Sequence, residues 1–210
     1  MSPDEREPSE ARWALGCVAL WAAGALAARA VGLWWGIGGT GLVLGIAVAV
    51  AFRRRLRSWL APTARSLAAG AVAGLLMVGA TRLVYAGLRA ALPDLAPQLD
   101  QLYRDFRSAS PWRVAAMLPL VILGEELVWR GVVLTAARRR LGTPLAVAVT
   151  AFAYAAAHVP AGSPLLVLAA LTCGLVWGAL AAATGGRLFA PLLCHLVWDL
   201  SVLVFVPLSP

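Results

Sequence analysis

The stretch MLPLVILGEELVWRGVVLTAA, residues 117–137, places two adjacent glutamates and an arginine inside one of the most apolar parts of the chain. A charged side chain at the centre of a bilayer costs roughly 2.5–3.5 kcal/mol on insertion scales. If this stretch crosses a membrane, Glu125, Glu126 and Arg130 must face one another or a water-filled cavity. Residues from other segments then have to complete that cavity.

The composition indicates a membrane protein that crosses the bilayer several times. Of the 210 residues, 61% are hydrophobic and 13% are charged, whereas soluble domains are nearer half apolar and a quarter charged. Apolar runs of roughly 20 residues, the length that spans a bilayer, recur along the chain. We therefore predict an all-α bundle of about seven transmembrane helices. The predicted spans are residues 13–28, 31–52, 67–88, 114–137, 141–158, 165–183 and 188–206.

A polar stretch, residues 93–111, separates the third span from the fourth. Its apolar residues recur at roughly helical spacing, which predicts a short amphipathic helix on the membrane surface or over a cavity. We expect residues 1–12 to form a polar tail and residues 13–110 to hold the first spans and the amphipathic segment. Residues 111–210 then form the core that carries the ionisable groups.

The charge pattern predicts the orientation. The net charge of +8 comes entirely from arginine, and the arginines cluster between apolar runs, as at residues 53–57 and 138–140. Positive residues accumulate in cytoplasmic loops. We therefore expect a multi-pass protein of the cell inner (plasma) membrane with a cytoplasmic N-terminus, and no nucleic-acid partner.

Ionisable side chains are scarce in the predicted membrane body. After the polar N-terminus, Glu125 and Glu126 are the only glutamates, and His158 and His195 are the only histidines. Asp199 adds an aspartate to the last span. These residues lie on three predicted spans, and together they form a set that can activate a water molecule.

Helical spacing pairs several of these residues with a neighbour on the same face. Residues four apart on a helix lie one above the other, whereas Glu125 is rotated about 100° from Glu126 and points elsewhere in the bundle. Each pair alone also fits a structural role, as an ion pair or a packing hydrogen bond. Their conjunction favours a hydrolytic site. The pairs are Glu126–Arg130, Tyr154–His158 and His195–Asp199.

Three motifs, in order, resemble those of the CAAX prenyl endopeptidase type II / CPBP (Abi) family of intramembrane proteases. EELVWR at 125–130 fits the family's EExxxR, and YAAAH at 154–158 fits FxxxH with tyrosine in place of phenylalanine. HLVWD at 195–199 fits HxxxN or HxxxD. The resemblance covers roughly residues 110–206 and includes a possible myxosortase-like bacterial branch, while the first three spans are generic.

The resemblance implies a catalytic set. Glu125, held away from water, would act with His158 as the general base on a water molecule. His195 and Asp199 would lie at the developing oxyanion. An ionised Asp199 cannot donate a hydrogen bond, so we expect it to orient His195, the alternative being a protonated Asp199. The residues assigned to supporting roles are Glu126, Arg130 and Tyr154.

A metal is the alternative cofactor. Two histidines and a carboxylate also form a competent zinc set. The resemblance implies glutamate-type catalysis without a metal, so we expect no cofactor and retain zinc as the alternative.

The resemblance implies an intramembrane endopeptidase that cleaves a membrane-associated or secreted peptide or protein. Its partners would be membrane lipid and the substrate, and the sequence leaves the oligomeric state open. The predicted topology puts His158 near the outer face and Glu125 near mid-bilayer, which favours a non-cytoplasmic entrance. Two other functions stay open: a non-catalytic scaffold or immunity protein, and a proton-coupled transporter. The lack of an inverted repeat argues against transport.

Overall fold

The computed structural model describes residues 9–107 and 110–208, which fold into helices with no strand among them. The predicted all-α membrane bundle is confirmed. The helices are α1 (Glu10–Val31), α2 (Gly39–Ala51), α3 (Arg53–Leu60), α4 (Ala64–Ala91), α5 (Ala96–Phe106), α6 (Pro111–Glu126), α7 (Leu134–Leu141), α8 (Thr143–His158), α9 (Pro164–Ala183) and α10 (Phe189–Asp199). Three π-helical segments continue these helices, at Trp34–Gly38, Leu127–Val133 and Leu200–Phe205.

Helices occupy all seven predicted spans, and five of them are long and apolar enough to cross a membrane among the described residues. The other two lie where the site is built. The continuous helix from α6 through α7 contains charged residues that interrupt its apolar run. Helix α10 with its π-helical continuation, Phe189–Phe205, is apolar but shorter. The count of seven crossings therefore stays a prediction, while a multi-pass membrane protein is shown.

The two ends of the bundle differ in charge, and ion pairs define one of them. Glu10, at the start of α1, bonds Arg55 of α3, and its Oε2 lies 2.9 Å from Nη1 of Arg139 in α7. The Trp59 carbonyl accepts a hydrogen bond from the Leu188 amide at 2.8 Å. We call this the arginine end. It brings together the arginine clusters that the sequence assigned to one side of the membrane.

The opposite end is covered by the predicted amphipathic helix. The indole of Trp34 donates to the Phe106 carbonyl at 2.7 Å, and the Tyr103 hydroxyl donates to the Val202 carbonyl at 2.9 Å. Burial raises the pKa of the Tyr103 phenol, so this group stays a neutral donor. Helix α5 is therefore held over the bundle by the ends of two spans.

Glycines let α2 approach the glutamate-bearing helix. A Cβ built on Gly45 would collide with the Gly124 backbone, and one on Gly41 would lie 3.0 Å from the Trp21 ring. Because Gly124 directly precedes Glu125, this contact brings α1 and α2 beside the carboxylates. Backbones approach this closely only where both residues are small.

One detail of the sequence prediction needs correction. Helix α1 begins at Glu10, inside the predicted polar tail, because the buried Glu10 carboxylate is neutralised by arginines. Residues 1–8 of that tail lie outside the described residues. Glycines also let α9 pack on α8, because a Cβ built on Gly174 would lie 3.2 Å from Ala151 and one on Gly178 would lie 3.2 Å from Val147.

Candidate active site

The two glutamates close α6 at the start of the π-helical segment Leu127–Val133. Glu126 is fully buried and Glu125 is 7% exposed. A π-helical turn displaces the side chains that follow it from ordinary α-helical register, and such turns are frequent at functional sites. The sequence alone did not predict it.

Glu126 is held from two sides. Its Oε1 lies 3.3 Å from Nη1 of Arg130 and 3.0 Å from Nδ1 of His195. The predicted pairing of Glu126 with Arg130 is present, and His195 of α10 joins it. Glu126 thus couples the first and third motifs directly.

His195 is the centre of the site. Nδ1 faces Glu126, while Nε2 lies 3.3 Å from Oδ2 of Asp199 and 3.9 Å from Oε2 of Glu125. With a carboxylate at each ring nitrogen, the imidazole donates at both, which fits an imidazolium. The Trp177 indole stacks on the ring with a centroid distance of 3.5 Å. Both glutamates face this one ring from different sides, although the sequence predicted that they point apart.

Glu125 has a second partner in α8. The Tyr154 hydroxyl donates to Oε2 of Glu125 at 2.9 Å. This bond uses the hydroxyl that distinguishes tyrosine from the phenylalanine of the family motif. The substitution therefore adds a donor to the carboxylate expected to be the base.

His158 is engaged elsewhere. Its Nδ1 lies 2.7 Å from the Tyr154 carbonyl, and its Nε2 accepts the Trp21 indole N–H at 3.3 Å. These two bonds fit a neutral ring protonated at Nδ1. Both nitrogens of His158 are therefore bonded to groups other than Glu125. Tyr154 lies between His158 and the Glu125 carboxylate. His158 is 3% exposed and contacts the middle of α1, so it lies deeper than the predicted outer face.

Three tryptophans that the sequence analysis missed frame the site. Trp129 packs edge-on to Tyr154 at 4.9 Å, and Trp21 packs edge-on to Trp129 at 5.6 Å. The Arg130 guanidinium lies 5.0 Å from the Tyr154 ring centre and 5.1 Å from that of Trp177. Trp129 could have been found, since it lies inside the first motif. No signal connected Trp21 or Trp177 to the site.

Zinc does not fit these residues. A zinc-bound histidine uses a ring nitrogen that carries no proton, and in both His158 and His195 both nitrogens are engaged by protein groups. Within residues 9–107 and 110–208, no three His, Cys, Asp or Glu side chains are arranged to hold a metal ion. We therefore derive no step through a metal.

The site is almost closed to solvent. The side chains of Glu126, His195 and Glu125 are 0%, 5% and 9% exposed, whereas that of Asp199 is 13% exposed. Oε2 of Glu126 is buried and lacks a hydrogen-bond partner among the described residues. Asp199 is therefore the most exposed of the ionisable side chains around His195.

One region of the chain matches a known protein family. Residues 107–201 match the family model described as type II CAAX prenyl endopeptidase Rce1-like. No curated protein and no solved structure matches the chain significantly. The matched region contains every site residue named above except Trp21. Residues 107–201, a little under half of the chain, are therefore similar to the type II CAAX prenyl endopeptidase (Rce1-like) family.

Proposed function

We propose that this protein is a glutamate-type intramembrane endopeptidase in which Glu125 activates the attacking water. The observation that carries the proposal is the separation of 3.9 Å between Oε2 of Glu125 and Nε2 of His195. This distance is too long for a direct hydrogen bond. It allows one oxygen atom to lie about 2.8 Å from each group.

In the proposed reaction, ionised Glu125 takes a proton from water as the water oxygen bonds to the peptide carbonyl carbon. The carbonyl oxygen becomes an oxyanion, which replaces Asp199 as the acceptor of the Nε2–H of His195. The C–N bond then breaks, and Glu125 returns its proton to the leaving nitrogen. The products are a carboxylic acid and an amine.

Glu126, Asp199 and Trp177 support this role by positioning His195. Glu126 fixes Nδ1, Trp177 fixes the ring plane, and Asp199 directs Nε2. An ionised Asp199 has no hydrogen to donate, so the oxyanion bond falls to the ring. Removing a partner that orients a functional imidazole typically lowers activity by about 10–100-fold.

The assignment of His158 as a partner of the base stays a prediction. It requires Nε2 to leave the Trp21 indole and turn toward the water. In the arrangement seen here, His158 supports Glu125 through Tyr154, whose carbonyl and hydroxyl bond the two residues.

We further propose that no metal takes part, because both imidazoles are already engaged. The asymmetry between the arginine end and the opposite end supports an N-terminus in the cytoplasm and a location in the plasma membrane. Substrates would be membrane-associated or secreted peptides or proteins, including C-terminal sorting tags if the chain follows the myxosortase-like branch. We place the entrance beside Asp199, the most exposed carboxylate around His195, and away from the arginine end.

The test is Glu125→Gln in the full chain. The amide keeps the shape of the carboxylate and cannot accept the proton, so we expect cleavage to fall at least about 100-fold with insertion unchanged. Mass spectrometry of membrane peptides from cells with wild-type or variant protein measures the loss. The matched control is Asp105→Asn on the exposed side of α5, which should leave the peptides unchanged.

Two outcomes would contradict the proposal. A phenotype fully retained in Glu125→Gln would indicate a scaffold or immunity protein. Substrate-dependent proton flux in vesicles, without cleavage products, would indicate a transporter.

A further inference from the structure

Helix α3 is amphipathic, and no step of the proposed reaction uses it. Trp59 is 8% exposed and packs on Phe52 with ring centres 5.9 Å apart. On the other side, Arg53 and Arg57 are exposed. A short helix with an apolar face on protein and a basic face outward is typical of a segment lying in a membrane interface.

The neighbouring spans fix the depth of α3. The candidate span Trp34–Ala51 ends two residues before it, and the candidate span Ala64–Ala91 begins four residues after it. Both spans lie in hydrocarbon, so the connection between them lies at the level of the lipid headgroups. This placement does not depend on which side of the membrane is cytoplasmic.

The arginine end carries two clusters of arginine, with seven arginines in all. Glu10 bonds Arg55 of the first cluster and Arg139 of the second. Arg53 and Arg57 are exposed on the outer side of α3. Basic residues at the level of the headgroups attract anionic lipids. The clusters are residues 53–55 with 57, and residues 138–140.

An open groove runs along α3 and the turn that follows it. Its walls are almost wholly apolar, and the Arg57 side chain lines it as the charged member. The lining residues are Leu56, Arg57, Leu60, Ala61 and Pro62. Apolar walls with a guanidinium match the two parts of a phospholipid, an acyl chain and a phosphate.

We propose that α3 is a binding site for an anionic phospholipid of the surrounding bilayer. An acyl chain lies against Leu56, Leu60 and Pro62, and the phosphodiester is bound by Arg57, with Arg53 adjoining it on the same helix. Because Glu10 ties α3 to α1 and α7, occupancy of this site stabilises the arginine end of the bundle. The proposal does not depend on the proposed catalytic mechanism.

The experiment measures lipid binding by the full chain in detergent micelles. Phosphatidylglycerol and phosphatidylcholine with identical acyl chains are titrated separately, and lipid retention is followed by native mass spectrometry. We expect phosphatidylglycerol to bind more tightly, and Arg57→Gln to weaken its binding about fivefold. Arg113→Gln, an exposed arginine outside the arginine end, is the matched control and should change the affinity less than twofold.

Two results would overturn the proposal. Equal affinities for the two lipids would show that the surface does not select anionic headgroups. Equal effects of Arg57→Gln and Arg113→Gln would show that the preference comes from net charge and not from α3. If Arg57→Gln does not fold, Arg53→Gln replaces it, and binding no weaker than that of the control contradicts the site.

Discussion

Replacing Arg130 with methionine separates the structural role of the buried ion pair from catalysis. The side chain is 3% exposed, and its Nη1 lies 3.3 Å from Oε1 of Glu126. Methionine fills much of the same volume and removes the charge. Glu126, which is fully buried, would then keep only the bond to His195 among the contacts seen here.

The expected loss is large. Breaking a buried ion pair by removing one partner costs about 3–5 kcal/mol, because the other charge is left uncompensated. The guanidinium also lies about 5 Å from the ring centres of Tyr154 and Trp177, and such contacts contribute roughly 0.5–2 kcal/mol. Because Glu126 keeps its bond to His195, we expect the loss of stability to lie in the lower part of the range for a broken ion pair. We therefore expect Arg130→Met to lower the free energy of unfolding by about 3–4 kcal/mol.

The measurement is reversible unfolding in mixed detergent micelles, with Arg113→Met as an exposed control expected within about 0.5 kcal/mol of wild type. Adding Glu126→Gln to Arg130→Met should restore most of the stability, because the amide oxygen still accepts from His195 and no charge is stranded. A loss below about 1 kcal/mol for Arg130→Met would refute the reasoning. The reasoning would also be refuted if the stability changes of Arg130→Met and Glu126→Gln simply added in the double variant.

Two further substitutions test the imidazoles. Asp199→Asn should keep cleavage within about tenfold of wild type, because the amide oxygen still accepts from Nε2 of His195. Asp199→Leu removes that acceptor and should lower cleavage by about 10–100-fold. An inactive Asp199→Asn variant would show that the charge itself is needed. Trp21→Phe should lower the free energy of unfolding by about 1–3 kcal/mol, because Nε2 of His158 loses its donor in a buried setting. Denaturant titration checks this value, and a variant as stable as wild type contradicts the bond.

The helical pattern predicted the fold well because hydrophobic length is a local property. All seven predicted helices are present, and α5 lies where the amphipathic spacing placed it. Helix α3 was read only as an arginine cluster, since eight residues with four arginines do not form an apolar run. Its apolar side becomes evident only when Trp59 is seen on Phe52.

The site was predictable to the level of motifs, because each motif is a four-residue step on one helix. The pairs Glu126–Arg130 and His195–Asp199 follow from that spacing and are both present. Contacts between helices do not follow from spacing. The meeting of His195 with Glu126, and of Trp21 with His158, depends on how α1 and α10 cross α6 and α8, which glycines at Gly45 and Gly124 help to set.

The charge balance of the site gives a physical reason for the position of Asp199. With His195 donating to two carboxylates, the buried cations are His195 and Arg130, and they balance Glu125 and Glu126. An asparagine at 199 would leave the set neutral, so the aspartate adds one excess negative charge. Uncompensated charge is costly in proportion to its burial. Asp199 is the most exposed carboxylate of the three, at 13%, so the extra charge lies where burial is least.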